Sequence, residues 1–429
     1  MSADAINRIL EDRAPALAAA LSPLGRRAFY PKGIPYQAGE ARGMTYNGTI
    51  GIFTDGHGKS VPLPSMASTL ELPEDDRHRA FLYSPVDGVA EVRQLWREWQ
   101  RRGQPDTKPS TLPLLTIGLA HGLSILADLF GGEGRTLALA TPFWGNYRQT
   151  FTLRTGTELR TAPSFRDGKY NTRFVAEALD GLPAGTPALA LVNFPSNPGG
   201  YSPTAEERHA LKDSLVEIAG QRPLVVICDD AYSGFVFGEG VPRHSFFWDL
   251  VGAHEQLIPV KVDGATKEFA FFGGRVGFLT FGVDLQEEAW AALEGKVKCL
   301  VRSTVGSPVA VGQMILAQAL RSGQAESQIE DIFRIAEERF HAVTPAIRAL
   351  DGTLLKPMPF NAGFFIVLEI PEAVGVTAAQ VRYRLLEEYD TGVVSVGERY
   401  LRIATCSVSA EALPELVRRI ERAVGDCVG

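Results

Sequence analysis

The sequence predicts an α/β fold, a mostly parallel central sheet sandwiched by helices with a smaller α+β domain beside it. Three observations carry that expectation. Short apolar runs alternate with helical patterns from about residue 113 to 282, the texture changes after about residue 325, and 429 residues exceed what one compact core holds. Fully apolar runs separated by helical segments suit strands covered on both faces by crossover helices.

Along the chain this divides into residues 1–60, an N-terminal arm with part of the small domain, 61–325, a large domain, and 326–429, a small C-terminal domain. An amphipathic helix comes first, with Val89, Val92, Leu95, Trp96 and Trp99 on one face and the arginines of "WREWQRRG" on its wet side. The strand candidates follow: "LPLLTIG", "TLALATP", "ALALVNFP", "PLVVICDDAY", "LIPVKVDGATK" and "RVGFLTFG". Between two of them, "SPTAEERHALKDSLVEIAG" opens on Thr204 and Glu207 as a capping box. Beyond residue 325 come a long helix, the strand-like "AGFFIVLEI", a helix capped by Thr377 and Gln380, the strand-like "RYLRIAT" and a final helix.

Composition removes several classes of function. A net charge of −7 and a single basic cluster on a helix argue against nucleic acid as a partner. Cysteines 228, 299, 406 and 427 form no CxxC pair and have no histidine companions at metal-ligand spacing, so neither disulfides nor a metal are expected. The opening "MSADAINRILEDRAP" lacks the basic and apolar regions of a secretory leader, and no apolar run nears the ~20 residues that span a bilayer. The expectation is a cytoplasmic protein without a membrane partner.

In open α/β sheets ligands bind at the carboxyl ends of the strands, and each apolar run here ends in an unusual polar group. "TIGLAHGLS" turns from strand to helix, so the backbone amides of Leu119, Ala120 and His121 face a site that favours phosphate. "TPFWGNY" sets Trp144 where an indole can lie on a planar ring, and "NFPSNPGG" holds the Asn197 amide on a proline-stiffened loop. "CDDAY" ends a wholly apolar strand on two acids, one of which must approach the core, with Tyr232 close behind. Each of these has an ordinary structural explanation when taken alone.

"DGATKEFAFFGGRVGFLTFG", residues 263 to 282, joins them. A lysine in an apolar pocket has a lowered pKa and condenses with an aldehyde to a Schiff base, and an arginine across the next turn grips phosphate with its planar fork. Pyridoxal 5′-phosphate carries both handles, plus a ring nitrogen whose proton a buried aspartate retains. Lys267 is then expected to hold the aldehyde carbon and Asp229 the ring nitrogen. Asn197 and Tyr232 fall to the ring hydroxyl, Trp144 to the ring face, and Leu119, Ala120 and Arg275 to the phosphate.

From about residue 45 to 410 the sequence resembles the class I aminotransferases of the fold type I pyridoxal phosphate enzymes, most nearly the aspartate and aromatic branch. The segments are "YNGTIGIFTDGHGKSVPLPS", "YSPVDGVAEVR", "PFWGNY", "SNPGG", "DDAY", "KEFAFFGGRVG", "VRSTVGSP" and "YLRIATCS", in the family's order and spacing. The resemblance implies a homodimer with shared active sites, in which Tyr83 is lent to the neighbouring subunit's cofactor phosphate and Gly51 lies on a loop closing over substrate. It implies that Arg402 clamps the substrate α-carboxylate through two parallel hydrogen bonds.

Arg302 matches the arginine that reads a distal carboxylate across the dimer in dicarboxylate-specific enzymes. The following "VGSPVA" departs from the family pattern, so aromatic, dicarboxylic and aliphatic donors all stay open. Gly264 replaces a phosphate-binding serine and Ala120 a hydroxyl residue, with Thr266 as a candidate substitute.

The implied activity is ping-pong transfer of an amino group from an L-amino acid, of aspartate or aromatic type, to a 2-oxo acid, with Lys267 also moving the α-proton. The alternative on the same fold is a lyase of the cysteine–sulfur or aminocyclopropane-carboxylate synthase type. A non-catalytic effector-binding regulator stands last, because only about forty-five residues precede the first family match.

Overall fold

The computed structural model describes residues 2–29, 32–68, 71–104 and 108–428. Its central sheet has seven strands: β1 (Leu114–Ile117), β2 (Thr136–Thr141), β3 (Glu158–Pro163), β4 (Ala188–Asn193), β5 (Leu224–Asp229), β6 (Leu257–Gly264) and β7 (Val276–Phe281), in the spatial order β1-β7-β6-β5-β4-β2-β3. Every pairing from β6 to β3 is parallel. β7 alone runs against both neighbours, with Val276 opposite Ile117 and Gly277 opposite Gly264.

Side chains along the strands alternate between two cores, as the pleat requires. In β5, Leu224, Val226 and Cys228 enter one cluster with Leu211, Leu215 and Trp248, while Val225 and Ile227 enter the other with Leu123, Leu126 and Phe151. Both faces are therefore covered, which is why these strands read as continuous apolar runs.

The helix α1 (Ala90–Gln100) buries Val92 and Trp96 as its pattern requires. Its arginines keep to the wet side, Arg97 and Arg101 half-buried and Arg102 exposed, but two of them also stack on indoles. Arg101 donates to the Lys108 carbonyl (2.6 Å) and lies over the Trp248 ring, and Arg102 lies over Trp99, whose Nε1 donates to Glu268 Oε1 at 2.9 Å. Planar guanidinium groups stack on indoles where ammonium groups stay hydrated, so this cluster seals the back of the turn that carries Lys267.

A second sheet holds the short strand Lys356–Pro357, then β8 (Phe365–Glu369), β9 (Val394–Val396) and β10 (Tyr400–Ala404), with β10 between β8 and β9. Over it pack the helices Ala378–Glu388 and Leu413–Val428. The first of these has the Thr377/Gln380 capping box, and Ala205–Ala219 has that of Thr204/Glu207.

The helix Ala325–Arg348 ties the two parts together. Ile332, Phe333 and Ala336 belong to a core shared with α1, whereas Val343 and Ile347 belong to that of the second sheet. The first sixty residues divide likewise, since Tyr46–Asn47 pairs with Thr391–Gly392 while Phe53 joins the α1 core.

Candidate active site

Two lysines lie near the end of β6, Lys261 buried and Lys267 half-buried, and their surroundings separate them. Lys261 Nζ lies 2.5 Å from Asp263 and 2.9 Å from Asp230, two carboxylates that raise its pKa despite burial. Lys267, on the single helical turn α2 (Ala265–Glu268) after β6, has no ion-pair partner among the described residues; its Nζ stands 5.6 Å from the centre of the Tyr232 ring. Burial lowers its pKa, Asp229 pulling the other way and Arg275 reinforcing the fall. It opens into a cavity of about 220 Å³ lined by Leu119, Ala120, Trp144, Tyr147, Asn193, Asn197, Asp229, Ala231, Tyr232, Thr266, Lys267 and Arg275.

Asp229 closes β5 and is 3% exposed. Its Oδ2 accepts from the Tyr147 hydroxyl at 2.6 Å and its Oδ1 from the Ala231 amide at 3.1 Å. Burial outweighs both bonds and lifts its pKa to about 6. Asn193, the last residue of β4, donates to the Asp229 carbonyl (2.8 Å) and accepts from the Asn197 amide (2.7 Å). Asn197 in turn donates from Nδ2 to the Tyr232 oxygen at 3.2 Å and accepts at Oδ1 from Arg402 at 3.2 Å.

Sequence reasoning passed over Tyr147 and Asn193, although the signals were present. Asn193 is the polar ending of an apolar run, the feature that singled out Asp229. Tyr147 lies three residues after Trp144, one helical turn on, and meets it edge to face at 5.4 Å.

At the other end of the cavity the antiparallel direction of β7 matters most. A parallel strand would leave Arg275, its preceding residue, at the far edge of the sheet. Running backwards, β7 brings Arg275 to the edge where β1 ends and a thirteen-residue helix, α3 (Gly118–Phe130), begins. The approach is close: a Cβ on Gly118 would lie 2.4 Å from the Arg275 guanidinium. Leu119 and Ala120, in the first turn of α3, line the cavity there, beside the Thr266 hydroxyl, which is buried without a partner.

Gly264 has its own explanation. A Cβ there would stand 2.4 Å from the Val276 carbonyl, so the tight β6–β7 contact leaves no room for the serine of relatives.

Five expected residues lie outside this cavity. His121 turns its ring back, Nδ1 accepting from the Ile117 amide and Nε2 meeting Thr304, and it does not line the cavity. Arg402, inside β10 and 1% exposed, donates to the Thr49 carbonyl at 2.5 Å, leaves its Nε without a partner, and has its pKa lowered to about 10 by burial. Gly51 packs on Phe365, the ring beneath Arg402, where a Cβ would come within 2.6 Å. Arg302 is exposed near the end of the helix Glu287–Val305, and Tyr83 is 95% exposed, so neither reaches the cavity of its own chain.

The family model for aminotransferase class I and II matches residues 49–420. The chain belongs to that family. This aminotransferase is 25% identical over 350 residues to aromatic-amino-acid aminotransferase 2 of Thermococcus litoralis, covering 79% of this chain and 83% of the relative. Its fold matches an aminotransferase of Anaerococcus prevotii with a TM-score of 0.83 at 22% identity, over 94% and 98% of the two chains. It also matches an α-aminoadipate aminotransferase of Thermus thermophilus, solved with N-(5′-phosphopyridoxyl)-L-leucine, at TM-score 0.72 and 22% identity over 96% and 98%.

The cofactor of this aminotransferase is pyridoxal phosphate. The cavity fits it. A buried hydroxyl without a partner, an arginine and a helix start converge at one end, and a carboxylate and an amine without an ion pair line the same space. No helix among the described residues is long and apolar enough to cross a membrane.

Proposed function

We propose that this aminotransferase moves an amino group from an L-amino acid, of aspartate or aromatic type, to a 2-oxo acid, releasing the first product before the acceptor binds. The observation that carries the reading is an amine, Lys267, opening unpaired into a cavity that a continuous set of hydrogen bonds from Asp229 to Arg402 borders. Pyridoxal phosphate supplies an aldehyde for amines to join and a ring that withdraws electrons from the carbon bearing the amino group. Lys267 Nζ is the amine that anchors it and then carries the α-proton, for which a lowered pKa is required.

Asp229, held by Tyr147, keeps the ring nitrogen protonated. Asn197 and Tyr232 take the ring hydroxyl and Trp144 the ring face. Thr266, Arg275 and the amides of Leu119 and Ala120 take the phosphate. Arg402 receives the substrate α-carboxylate, exchanging its bond to Thr49 for a charge-assisted pair, with Gly51 on the loop above.

Phe81, Leu82 and Tyr83 project together, 88%, 55% and 95% exposed. Such a patch supports a homodimer in which Tyr83 completes the partner's phosphate site and Arg302 meets a distal substrate group across the interface. The reading extends to a cytoplasmic enzyme of small-molecule substrates, with residues 1–60, 61–325 and 326–429 as arm, large domain and small domain.

Mixing the holoenzyme with an amino acid and no 2-oxo acid tests the reaction type. One equivalent of 2-oxo acid and loss of the visible cofactor band are expected, whereas continuous release of ammonia or pyruvate identifies a lyase. Lys267→Ala is expected to abolish turnover and keep the fold.

A further inference from the structure

We infer that the donor carries a large apolar side chain, aromatic or long aliphatic; this rests on the aminotransferase reading above and names the substrate class of the same site. A second cavity of about 640 Å³ adjoins the first, sharing Trp144 and Asn197 with it and reaching Arg402. An amino acid with its carboxylate on Arg402 and its amino group toward Lys267 has its side chain left to place. The adjoining cavity is the space that opens beside those two groups.

Its walls come from three places: Phe29 and Ile34 of the N-terminal segment, Phe143 and Leu153 beyond β2, and Val394 and Val396 of β9. None of its lining residues is acidic, which disfavours cationic donors. Arg27 and Arg148 also contribute, both exposed to solvent, the Arg148 guanidinium over the Phe143 ring at 5.7 Å; Asn146, Gln149 and Thr152 add uncharged polar groups to the same lining. A distal carboxylate would have to lose its water against aliphatic and aromatic carbon, whereas a phenyl or isobutyl group gains from the same contact.

The Ile34 part of the N-terminal wall is fixed in place. Gln37 Nε2 donates to the Ser395 carbonyl at 3.1 Å and the Ser395 amide donates to Gln37 Oε1 at 2.8 Å. Arg382 adds a 2.6 Å ion pair to Glu40. The helix Ile34–Glu40 is thereby clamped to β9, and the cavity exists before substrate arrives.

Single-turnover loss of the visible band with phenylalanine, leucine, alanine and aspartate measures the preference. Phenylalanine and leucine are expected to react at least about 10-fold more efficiently than alanine and aspartate, since each methylene in such a pocket is worth 10-fold or more. Aspartate or alanine matching them overturns the inference while leaving transamination intact. Failure of every amino acid to bleach the band sinks transamination and this inference with it. Ile34→Asp is expected to shrink the phenylalanine-to-alanine ratio about 10-fold, with Ile34→Leu restoring it; an unchanged ratio removes this cavity as the side-chain site.

Discussion

At the scale of single residues the chemistry depends on which buried charges are paired. Lys261 and Lys267 sit six positions apart, the first buried and the second half-buried, and only the first has carboxylates within 4 Å among the described residues. The sequence marked Lys267 through its glycine- and phenylalanine-rich setting, yet Lys261 passed unnoticed, because Asp230 reaches it only through the β5–β6 pairing, while Asp263 lies two residues on along the same face of β6. Tyr147 could be found from its place one turn after Trp144, but its bond to Asp229, across 82 positions, could not.

Asp229 leads to a pH-dependent expectation. Burial raises its pKa to about 6 in the cofactor-free chain, against about 3.9 unfolded. The folded chain therefore holds this proton more tightly, so the unpaired carboxyl costs nothing below pH 4. The cost grows between pH 4 and 6 to about 3 kcal/mol and stays constant above. Asp229→Asn keeps an acceptor for the Ala231 amide and turns its NH₂ to the Tyr147 oxygen. Thermal unfolding of the cofactor-free proteins should find the variant more stable at pH 8 and equal at pH 4, and a pH-independent difference would contradict the assigned cause.

Thr266 separates binding from stability, because its hydroxyl is buried with no partner. Thr266→Val is expected to leave cofactor-free stability unchanged or raised, while weakening pyridoxal phosphate binding about 10-fold, as for loss of a hydrogen bond to a charged group. Equilibrium titration of the visible band checks the second half.

At the scale of elements, six of the seven central strands and both capping boxes were legible because burial on two faces and end chemistry are local properties; β3, an edge strand with little burial, carries no apolar run and was not read. Direction was not. A strand buried on both faces carries the same apolar run whether parallel or antiparallel, so nothing in "RVGFLTFG" announced that β7 reverses. That reversal puts Arg275 beside Gly118 and presses β7 onto β6 at Gly264. Restoring the serine found in relatives should therefore fail here. Gly264→Ser is expected to cost about 3 kcal/mol through overpacking, read as a lower denaturation midpoint, without tighter cofactor binding. A variant of unchanged midpoint that binds the cofactor more tightly would mean the two strands can part at no cost.

At the scale of the whole molecule the site is assembled from distant parts of one chain, and on the proposed reading a second copy completes it. Arg402 reaches Asn197 across 205 positions and Thr49 across 353, linking the second sheet to the first. No local pattern encodes such contacts, and the family resemblance, which gave Arg402 to the substrate carboxylate, named neither of them. The same resemblance assigned Tyr83 to a neighbouring subunit, and the exposure of residues 81–83 supplies the physical motive. If the assignment holds, a Tyr83→Ala subunit has a complete cavity of its own but spoils its partner's, whereas a Lys267→Ala subunit spoils only its own. Each homodimer should then be nearly inactive. Unfolding the two together and refolding them as a mixture pairs half of the subunits as hybrids, in which both defects fall on one site and the other is whole. Activity should recover to about a quarter of the wild-type value, as random pairing in a two-fold dimer requires. If Tyr83 served its own chain instead, each hybrid site would carry one defect and the mixture would stay as inactive as its parents.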